Sequence, residues 1–356
     1  MLEFASDTWD GWDYIPHAWP VWLAAQDGVL LVAEPGVPAD GSPPLDAAGA
    51  ELSTERPIAV ARVALLSPSE AWLEGIRVHP RVRGMDVATD LQLAELEWAA
   101  AQNVSVVRYA TGQRNEGSHR LGARHGFQLL SSLRTYWWSE TGADQDRHDE
   151  PTGFDDDVRA NAAAVRRRLL ERLGEAGLVL AARDAHAVDG WWRRVEADGV
   201  FRSGHRLYER RAWALQELTR DRFFDHARNG EVLVWPRGAD AWAAAVLPAD
   251  VLPAEDVSLH LAVLVGESRA SAELADRVRR LAGQSIRFRL SEDAAVAAAA
   301  REALGAVGFH AREWTLDILG RPLGGPQPRP EIDPSSLVLV DVPLPTLRAP
   351  DLGSVP

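Results

Sequence analysis

The residues best suited to chemistry in this chain form a basic glycine turn between a strand and a helix. Residues 70–78 end in an apolar alternation that predicts a strand, and residues 81–84 lead into an amphipathic helix of residues 87–101. The first NH groups of a helix have no intrahelical partner and lie at the positive end of its dipole. They bind phosphate well, and Arg81 and Arg83 would add charge-assisted hydrogen bonds. The pattern therefore predicts a pyrophosphate-binding turn.

A second motif begins at Asn115, after an apolar segment of residues 104–110 that predicts another strand. Its residues predict a helix that Asn115 caps, and Gly126 would end that helix just before Phe127. Each motif alone fits an ordinary strand-to-helix turn or a capped helix. Their order along the chain, with a strand between them, favours a single functional unit.

Together the two motifs resemble the GNAT-type N-acetyltransferases. The pyrophosphate loop of that family reads Gln/Arg-x-x-Gly-x-Gly/Ala, and its later segment reads Asn-x-x-Ala-x-x-Leu-Tyr-x-x-x-Gly-Phe. The loop fits in two registers, starting at Arg81 or at Arg83. We prefer the second, which also matches the family's Val-x-Pro lead-in with Val78 and Pro80. In both registers Asp86 occupies a glycine or alanine position.

The resemblance implies that acetyl-CoA is bound as a co-substrate. The backbone of Ile76 and Val78 would polarise the thioester and follow the pantetheine arm, and Asn115 would contact that arm. Asn115 could instead serve only as a helix cap, which is compatible with this role. The residues expected around the pyrophosphate are Arg81, Arg83, Gly84, Met85, Asp86, Val87 and Ala88.

Acetyl transfer to an amine needs a base, donors for the tetrahedral oxyanion and a proton for the leaving thiolate. Glu74 or Glu70 could be the base, and the alternative is that both are solvated carboxylates at a strand edge. Gly122 stands where the family usually carries its tyrosine acid, so the hydroxyl would come from elsewhere. The candidates nearby in sequence are Ser118, Tyr109 and Tyr136.

Asp86 leaves two hypotheses open. A carboxylate beside a pyrophosphate is unfavourable unless it turns toward solvent or toward an arginine, whereas on the first helical turn it would stabilise the dipole. The first hypothesis is an N-acetyltransferase acting on an amine of a small molecule or peptide. The second is a non-catalytic acyl-CoA-binding or protein-interaction scaffold, in which Asp86 and Gly122 are signs of a decayed site.

Composition excludes several other classes of function. The 356 residues contain no cysteine, and all 38 basic residues are arginine, which excludes thiolate metal sites, cysteine nucleophiles, Schiff bases and ordinary P-loops. No histidine has metal-ligand spacing, so we expect no metal. The net charge of −14 argues against nucleic acid and anionic membranes and is compatible with a cationic amine. Residues 1–13 do not resemble a signal peptide, and we expect a cytoplasmic monomer or homodimer.

The sequence predicts an α/β (α+β) fold of two tandem GNAT-like domains, each a twisted mixed β-sheet flanked by helices. The first domain spans residues 1–140, an acidic linker spans 141–155, the second domain spans 156–320, and a Pro-rich tail spans 321–356. The second copy is degenerate. Where its pyrophosphate loop should lie, the sequence carries Glu267, which would repel phosphate.

Four further expectations concern local structure. Residues 211–227 predict one helix, and the apolar residues 336–344 of the tail form either an added strand or part of a disordered segment. Pro16 and Pro20 suit short helical turns more than one helix. The opening tryptophans are either a core-facing stripe or a wall of the acceptor pocket. These four are Trp9, Trp12, Trp19 and Trp22.

Overall fold

The computed structural model of the chain describes residues 2–5, 13–36, 42–54, 56–139, 167–182, 184–211, 213–236, 241–248, 259–283, 285–292, 294–324 and 337–342. The predicted linker, together with Trp9 and Trp12, lies outside these ranges. The chain forms two compact units. The first combines Met1–Val107 with Leu323–Pro356, and the second is Arg108–Pro322.

The first unit is built on an antiparallel sheet with two helices and two short 3₁₀ turns. Its strands, in spatial order, are β14 (Leu337–Val342), β1 (Gly28–Pro35), β2 (Ala59–Ser67) and β3 (Glu70–Val78). Its helices are α1 (Ile15–Ala24) and α2 (Val87–Ala101), and the 3₁₀ turns are Leu2–Ala5 and Pro80–Val82. The predicted hairpin of β2 and β3 is confirmed, and the apolar part of the tail forms the added strand.

Helix α1 covers one part of this sheet with a small apolar cluster. Trp22 and Ile15 are buried against Leu30 of β1 and Val60 of β2, and Trp19 is half-buried beside them. These two tryptophans therefore belong to the core-facing stripe. The expectation of separate short turns is wrong, because α1 includes both prolines. Pro16 lies in the first turn, where a helix needs no NH donor.

The second unit contains the remaining elements. Its helices are α3 (Glu116–Arg124), α4 (which includes residues 167–175), α5 (Ala185–Ala197), α6 (Gly199–Ser203), α7 (Arg220–Arg228), α8 (Ser268–Ala282) and α9 (Ala294–Ala306). Its strands are β4 (Val106–Gly112, most of it in this unit), β5 (Gln128–Trp138), β6 (Leu207–Arg211), β7 (Ala214–Glu217), β8 (Val232–Pro236), β9 (Trp242–Val246), β10 (Leu259–Leu261), β11 (Val263–Gly266), β12 (Ile286–Ser291) and β13 (His310–Pro322).

The strands of the second unit are interleaved rather than sequential. Their order is β10-β12-β5-β13-β4, with β10 parallel to β12 and β5 antiparallel to both β12 and β13. Strand β13 thus separates β4 from β5, although only α3 lies between these two strands along the chain. A separate sheet β11-β9-β8 and the hairpin β6-β7 complete the unit. Mixed sheets with flanking helices confirm the predicted fold class.

The compact units divide the chain at a different place from the predicted domains. The predicted boundary at residue 140 falls inside the second unit, because β5 pairs with β12 and β13 from much later in the chain. Compactness and sequence duplication are separate properties. The division into two related halves, at residues 141–155, therefore stays a prediction.

Two further observations concern the helices. The helix predicted over residues 211–227 is wrong, since this stretch contains β7 and a helix that starts only at Arg220, capped by Thr219. Within the described ranges, every helix is too short or too polar to cross a lipid bilayer.

Candidate functional site

Strand β3 carries a β-bulge at the place where the site was expected. Arg77 pairs with Val60 and Glu74 pairs with Arg62, so two residues of β3 face one residue of β2 between those pairs. One of the two is Gly75, which has φ +73°. A Cβ on Gly75 would lie 2.4 Å from Cη2 of Trp22, so only glycine fits here. A bulge disrupts the ladder and re-aims the backbone that follows it.

The start of α2 has backbone NH groups that no described residue accepts. Gly84 has φ +84°, and no atom lies within 4 Å of the position its Cβ would take. Among the described residues, no acceptor is hydrogen-bonded to the NH groups of Val87 and Ala88, at the positive end of the helix dipole. Met85 is 43% exposed. These NH groups and the space beside Gly84 are the features that a bound anion would use.

Asp86 adopts the left-handed conformation, with φ 57° and ψ 8°, directly before α2. Glycine is the residue that favours this region, so the conformation matches the register in which Asp86 takes a glycine position. Its side chain does not cap the helix, and its Oδ1 lies 3.4 Å from Oγ1 of Thr89. Burial raises the pKa of Asp90 in the next turn, and the charge of Asp86 adds to that shift.

The two arginines of the turn have different surroundings. Arg81 donates from Nε to Asp46 at 2.6 Å and from Nη2 to the carbonyl of Glu51 at 3.1 Å. Arg83 is exposed and donates from Nε to the carbonyl of Val78 at 3.3 Å. Arg81 therefore fixes a neighbouring loop, whereas Arg83 is held more weakly. This contrast favours the register that starts at Arg83.

The carbonyl groups expected along the pantetheine already have intramolecular donors. The carbonyl of Ile76 accepts a hydrogen bond from Nη1 of Arg77 at 3.0 Å, and the carbonyl of Val78 accepts the one from Arg83. Arg77 is also paired with buried Asp13, through Nε at 2.6 Å and Nη2 at 3.0 Å. Arg77 thereby ties β3 to the residue just before α1.

Glu74 and Glu70 are not simple solvated carboxylates. Glu74 contacts Nη1 of Arg62, whose other terminal nitrogen contacts Asp27. The Arg62 side chain is 1% exposed, although it stands in an otherwise apolar strand. Glu70 is buried and accepts a hydrogen bond from the Ser67 hydroxyl at 3.2 Å. Glu74 is thus the more accessible of the two predicted bases, with an exposure of 15%.

A buried carboxyl group lies close to this pair. Glu95 of α2 is 1% exposed, and its Oε1 has no hydrogen-bond partner among the described residues. Burial raises the pKa of Glu95 well above its ordinary value, and the nearby charge of Glu74 raises it further. Glu95 therefore stays protonated in the folded protein at pH values where the unfolded chain has lost the proton.

We expect Glu95→Gln to change the pH dependence of stability. Because the folded pKa of Glu95 is raised, the free energy of unfolding of the wild type falls as pH rises above about 4.5. Glutamine cannot ionise, so the variant gains stability relative to wild type at neutral pH and above, and not at acidic pH. Urea unfolding across a pH series measures this difference. Glu97→Gln, at an exposed position of the same helix, is the control and should leave the profile unchanged.

The two predicted site residues of the second unit lie at the start of α3. The Asn115 side chain accepts a hydrogen bond from the NH of Ser118 at 3.2 Å, so Asn115 is the helix cap. The carbonyl of Ser118 accepts a hydrogen bond from the Tyr109 hydroxyl at 2.9 Å.

Burial raises the pKa of Tyr136, another candidate acid, which is stacked on Phe288. Tyr136 therefore packs in the core.

Gly122 has a packing reason that the sequence does not reveal. A Cβ at this position would lie 2.1 Å from the hydroxyl oxygen of Tyr109, which packs edge-on against Phe127. The space that a side chain at position 122 would use is thus already filled by Tyr109. The missing family tyrosine reflects this exchange of space between α3 and β4.

Carboxylates occupy the NH groups at the start of α8, where the sequence predicts the loop of the second copy. Glu267 accepts hydrogen bonds from the NH groups of Arg269 at 3.0 Å and Ala270 at 2.9 Å, at the start of α8. Asp198 accepts a further one from the NH of Gly266 at 3.1 Å. The donors that α2 leaves open are occupied here.

Two residues of these sites, Arg62 and Glu95, and the packing role of a third, Tyr109, were not predicted from the sequence. Arg62 could have been noticed as a charged residue within an apolar strand, and Glu95 as a carboxyl among the apolar positions of α2. Tyr109 was considered only as an acid, and no local pattern indicates its contact with α3.

The sequence model of the acetyltransferase (GNAT) family matches residues 16–127. No curated protein matches the sequence.

Solved structures with some similarity include three acetyltransferase-type proteins. A proposed acetyltransferase from Thermoplasma acidophilum is 12% identical, with 90% of this chain and 87% of that chain covered and a TM-score of 0.44. A GCN5-related N-acetyltransferase from Sphaerobacter thermophilus is 13% identical, with coverage of 75% and 77% and a TM-score of 0.38. A tandem GNAT protein from the clavulanic acid biosynthesis pathway is 13% identical, with coverage of 78% and 82% and a TM-score of 0.35.

These identities and TM-scores are too low to transfer a function. The family model matches residues 16–127, which contain both the glycine turn and the Asn115 motif, so this part of the chain is similar to the acetyltransferase (GNAT) family.

Proposed function

We propose that this protein is an N-acetyltransferase that moves the acetyl group of acetyl-CoA to an amine of a small molecule or peptide. The open start of α2 is the observation that carries the proposal. Val87 and Ala88 offer NH groups, Gly84 leaves space beside them, and Arg83 adds a weakly held positive charge. These features fit a pyrophosphate, whereas the start of α8 is already filled by Glu267.

The proposed chemistry assigns a separate role to each predicted catalytic residue. Acetyl-CoA supplies a thioester that an amine can attack directly. Glu74, oriented by Arg62, takes the proton of the attacking amine directly or through water, and Glu70 is the second candidate. The Ser118 hydroxyl is our candidate donor to the leaving thiolate. A cationic amine suits the net charge of −14, which would raise its concentration near the surface.

Calorimetric titration with acetyl-CoA tests the cofactor site. We expect binding to the wild type, and loss of most of it in Arg83→Ala and in Ala88→Asp. The second variant places a carboxylate in the first turn of α2, where it favours the helix but competes with an anion, as Glu267 does in α8. Arg269→Ala removes an exposed arginine at the start of α8 and is the matched control. If the control weakens binding as strongly as Arg83→Ala, the site is not at α2.

Asp86→Gly is expected to tighten acetyl-CoA binding by about fivefold, because it removes a carboxylate beside the anion site. Glycine also adopts the left-handed conformation of residue 86 without strain. Asp86→Asn removes the charge but keeps a side chain, so it separates the two effects. Titration calorimetry measures both variants at low ionic strength. Unchanged affinity in both would mean that the Asp86 carboxylate points away from the bound pyrophosphate.

The alternative function is a scaffold or acyl-CoA sensor without catalysis. The absence of a tyrosine at Gly122 motivates this alternative. Acetyl-CoA binding without turnover of any amine would favour the sensor, and no binding to the intact protein would favour the scaffold. Turnover that falls in Glu74→Gln, with acetyl-CoA affinity unchanged, would support the enzyme.

A further inference from the structure

A small cavity in the second unit is lined by charged and polar groups that the proposed reaction does not use. It lies among α6, β6, β7, β10, β11 and β12, and its volume is about 30 Å³. A water molecule needs roughly 10–15 Å³ on this measure, so the cavity has room for about two waters or one ion of three to four heavy atoms. Its polar lining comes mainly from Glu209, His260 and Arg289.

Glu209 holds the other two polar residues in place. Its Oε2 contacts Nη1 of Arg289 and lies 2.9 Å from Nε2 of His260, and its Oε1 accepts the NH of Trp213 at 2.7 Å. The side chains of Glu209 and His260 are each 2% exposed and that of Arg289 is 5% exposed. The backbone of Trp213 is left-handed, with φ 64°, a strained conformation for so large a residue. The Arg289 guanidinium lies 5.1 Å from the Trp213 ring.

The cluster leaves polar atoms without partners. Nε and Nη2 of Arg289, which form one edge of its guanidinium, have no hydrogen-bond partner among the described residues. The same is true of both ring nitrogens of His260, although Nε2 lies 2.9 Å from Oε2 of Glu209. Buried polar atoms of native proteins are nearly always satisfied, so these atoms call for water or a ligand. The Nε–Nη2 edge of an arginine is the fork that binds a carboxylate through two parallel hydrogen bonds.

The charges around the cavity favour an anion. Burial opposes the charge of Glu209, but Arg289, His260 and Arg287 outweigh it and hold the pKa of Glu209 well below its ordinary value. Burial lowers the pKa of His260, so this histidine is neutral near pH 7. Arg289 and Arg287 together give this largely buried place a positive potential, which suits a negatively charged ligand.

We propose that this cavity binds a small planar oxyanion of the carboxylate type, the size of bicarbonate or formate. Two oxygens of the anion accept hydrogen bonds from Nε and Nη2 of Arg289. In the tautomer that carries its proton on Nε2, the nitrogen 2.9 Å from the Glu209 carboxylate, Nδ1 of His260 is an acceptor. Bicarbonate carries a hydroxyl that can donate to Nδ1, and formate does not. The site is independent of the acetyl-CoA loop and belongs to the half whose own loop is closed.

Titration of the intact protein with sodium bicarbonate, formate and acetate tests the proposal, with sodium chloride at equal ionic strength as the reference. The ceiling on binding energy per atom for very small ligands puts the best dissociation constant at about 40 μM for bicarbonate, with four heavy atoms, and at about 0.5 mM for formate, with three. We expect bicarbonate to raise the thermal unfolding midpoint above the chloride reference and to bind more tightly than formate. Acetate, with its extra methyl group, should bind most weakly.

Arg289→Lys keeps a cation beside Glu209 but removes the two-pronged edge, so it should bind bicarbonate at least tenfold more weakly. Arg220→Lys, at an exposed pair with Asp189, is the matched control and should bind as the wild type does. If Arg289→Lys does not fold, a crystal structure of the wild type grown with bicarbonate decides. An anion on the Arg289 edge supports the proposal. Water alone in the cavity, or the same midpoint in bicarbonate and chloride, overturns it.

Discussion

Gly122→Tyr, which introduces the residue that the family usually carries, is expected to lower the free energy of unfolding by at least about 3 kcal/mol. The cause is steric, because even a Cβ at position 122 would lie 2.1 Å from the Tyr109 hydroxyl and 3.1 Å from its Cζ. Gly122 lies on α3 and Tyr109 lies on β4, which are both packed elements of the second unit. Neither residue can therefore move away at low cost. Urea unfolding measures the loss. Enhanced acetyl transfer in a stable Gly122→Tyr protein would contradict this account.

Two further variants separate overlap from other effects. Gly122→Ala and Tyr109→Phe should each destabilise the protein, the second through loss of the hydrogen bond to Ser118. The double variant should be more stable than the sum of the two losses predicts, because the hydroxyl that collides with the new methyl group is gone. Gly117→Ala is the control within the same helix. Its Cβ would lie 3.7 Å from Asn115, an ordinary contact, so little change is expected.

Arg62→Met is expected to lower the free energy of unfolding by about 3–5 kcal/mol, as removal of one partner of a buried ion pair does. The Arg62 side chain is 1% exposed and is shared by Glu74 and Asp27. Its loss removes the cation that Glu74 and Asp27 share, close to the buried Glu95. Urea unfolding of both proteins near neutral pH measures the loss of stability.

Arg81→Met is the matched control for this prediction. Arg81 is also paired with a carboxylate of the first unit, Asp46, but its side chain is 45% exposed. Exposed pairs contribute little to stability, so the control should lose much less than Arg62→Met. Equal losses in the two variants would mean that Arg62 is not a buried structural charge. Partial rescue of Arg62→Met by Glu74→Gln would further support the pairing.

The sequence predicts the first unit well, because its signals are local. The hairpin of β2 and β3, the glycine turn and the start of α2 follow from alternation, Pro80 and Gly84, and all of them appear in the structure. The bulge at Gly75 was not predicted. Its cause is the Trp22 ring, which comes from a helix far away in sequence.

The predictions that failed depended on contacts between distant segments. Residues 211–227 have an apolar spacing that suits a helix, but β7 pairs with β6, and the left-handed Trp213 between them is held by buried Glu209. The role of Arg62 and the space taken by Tyr109 likewise become visible only when side chains from separate strands meet. The assignments of Glu74, Ser118 and the acetyl-CoA contacts stay predictions until binding and turnover are measured.

The insertion of β13 between β4 and β5 has a consequence for how this chain is made on the ribosome. When β5 leaves the exit tunnel, neither of its two neighbours has been synthesised, since β12 and β13 end at Ser291 and Pro322. At 5–20 residues per second, β5 waits roughly 10–40 s with both edges unpaired. Exposed strand edges are the usual route to aggregation. Slow or paused translation of residues 140–320 should therefore reduce the yield of soluble protein, and a chaperone that covers β5 during this interval should restore it.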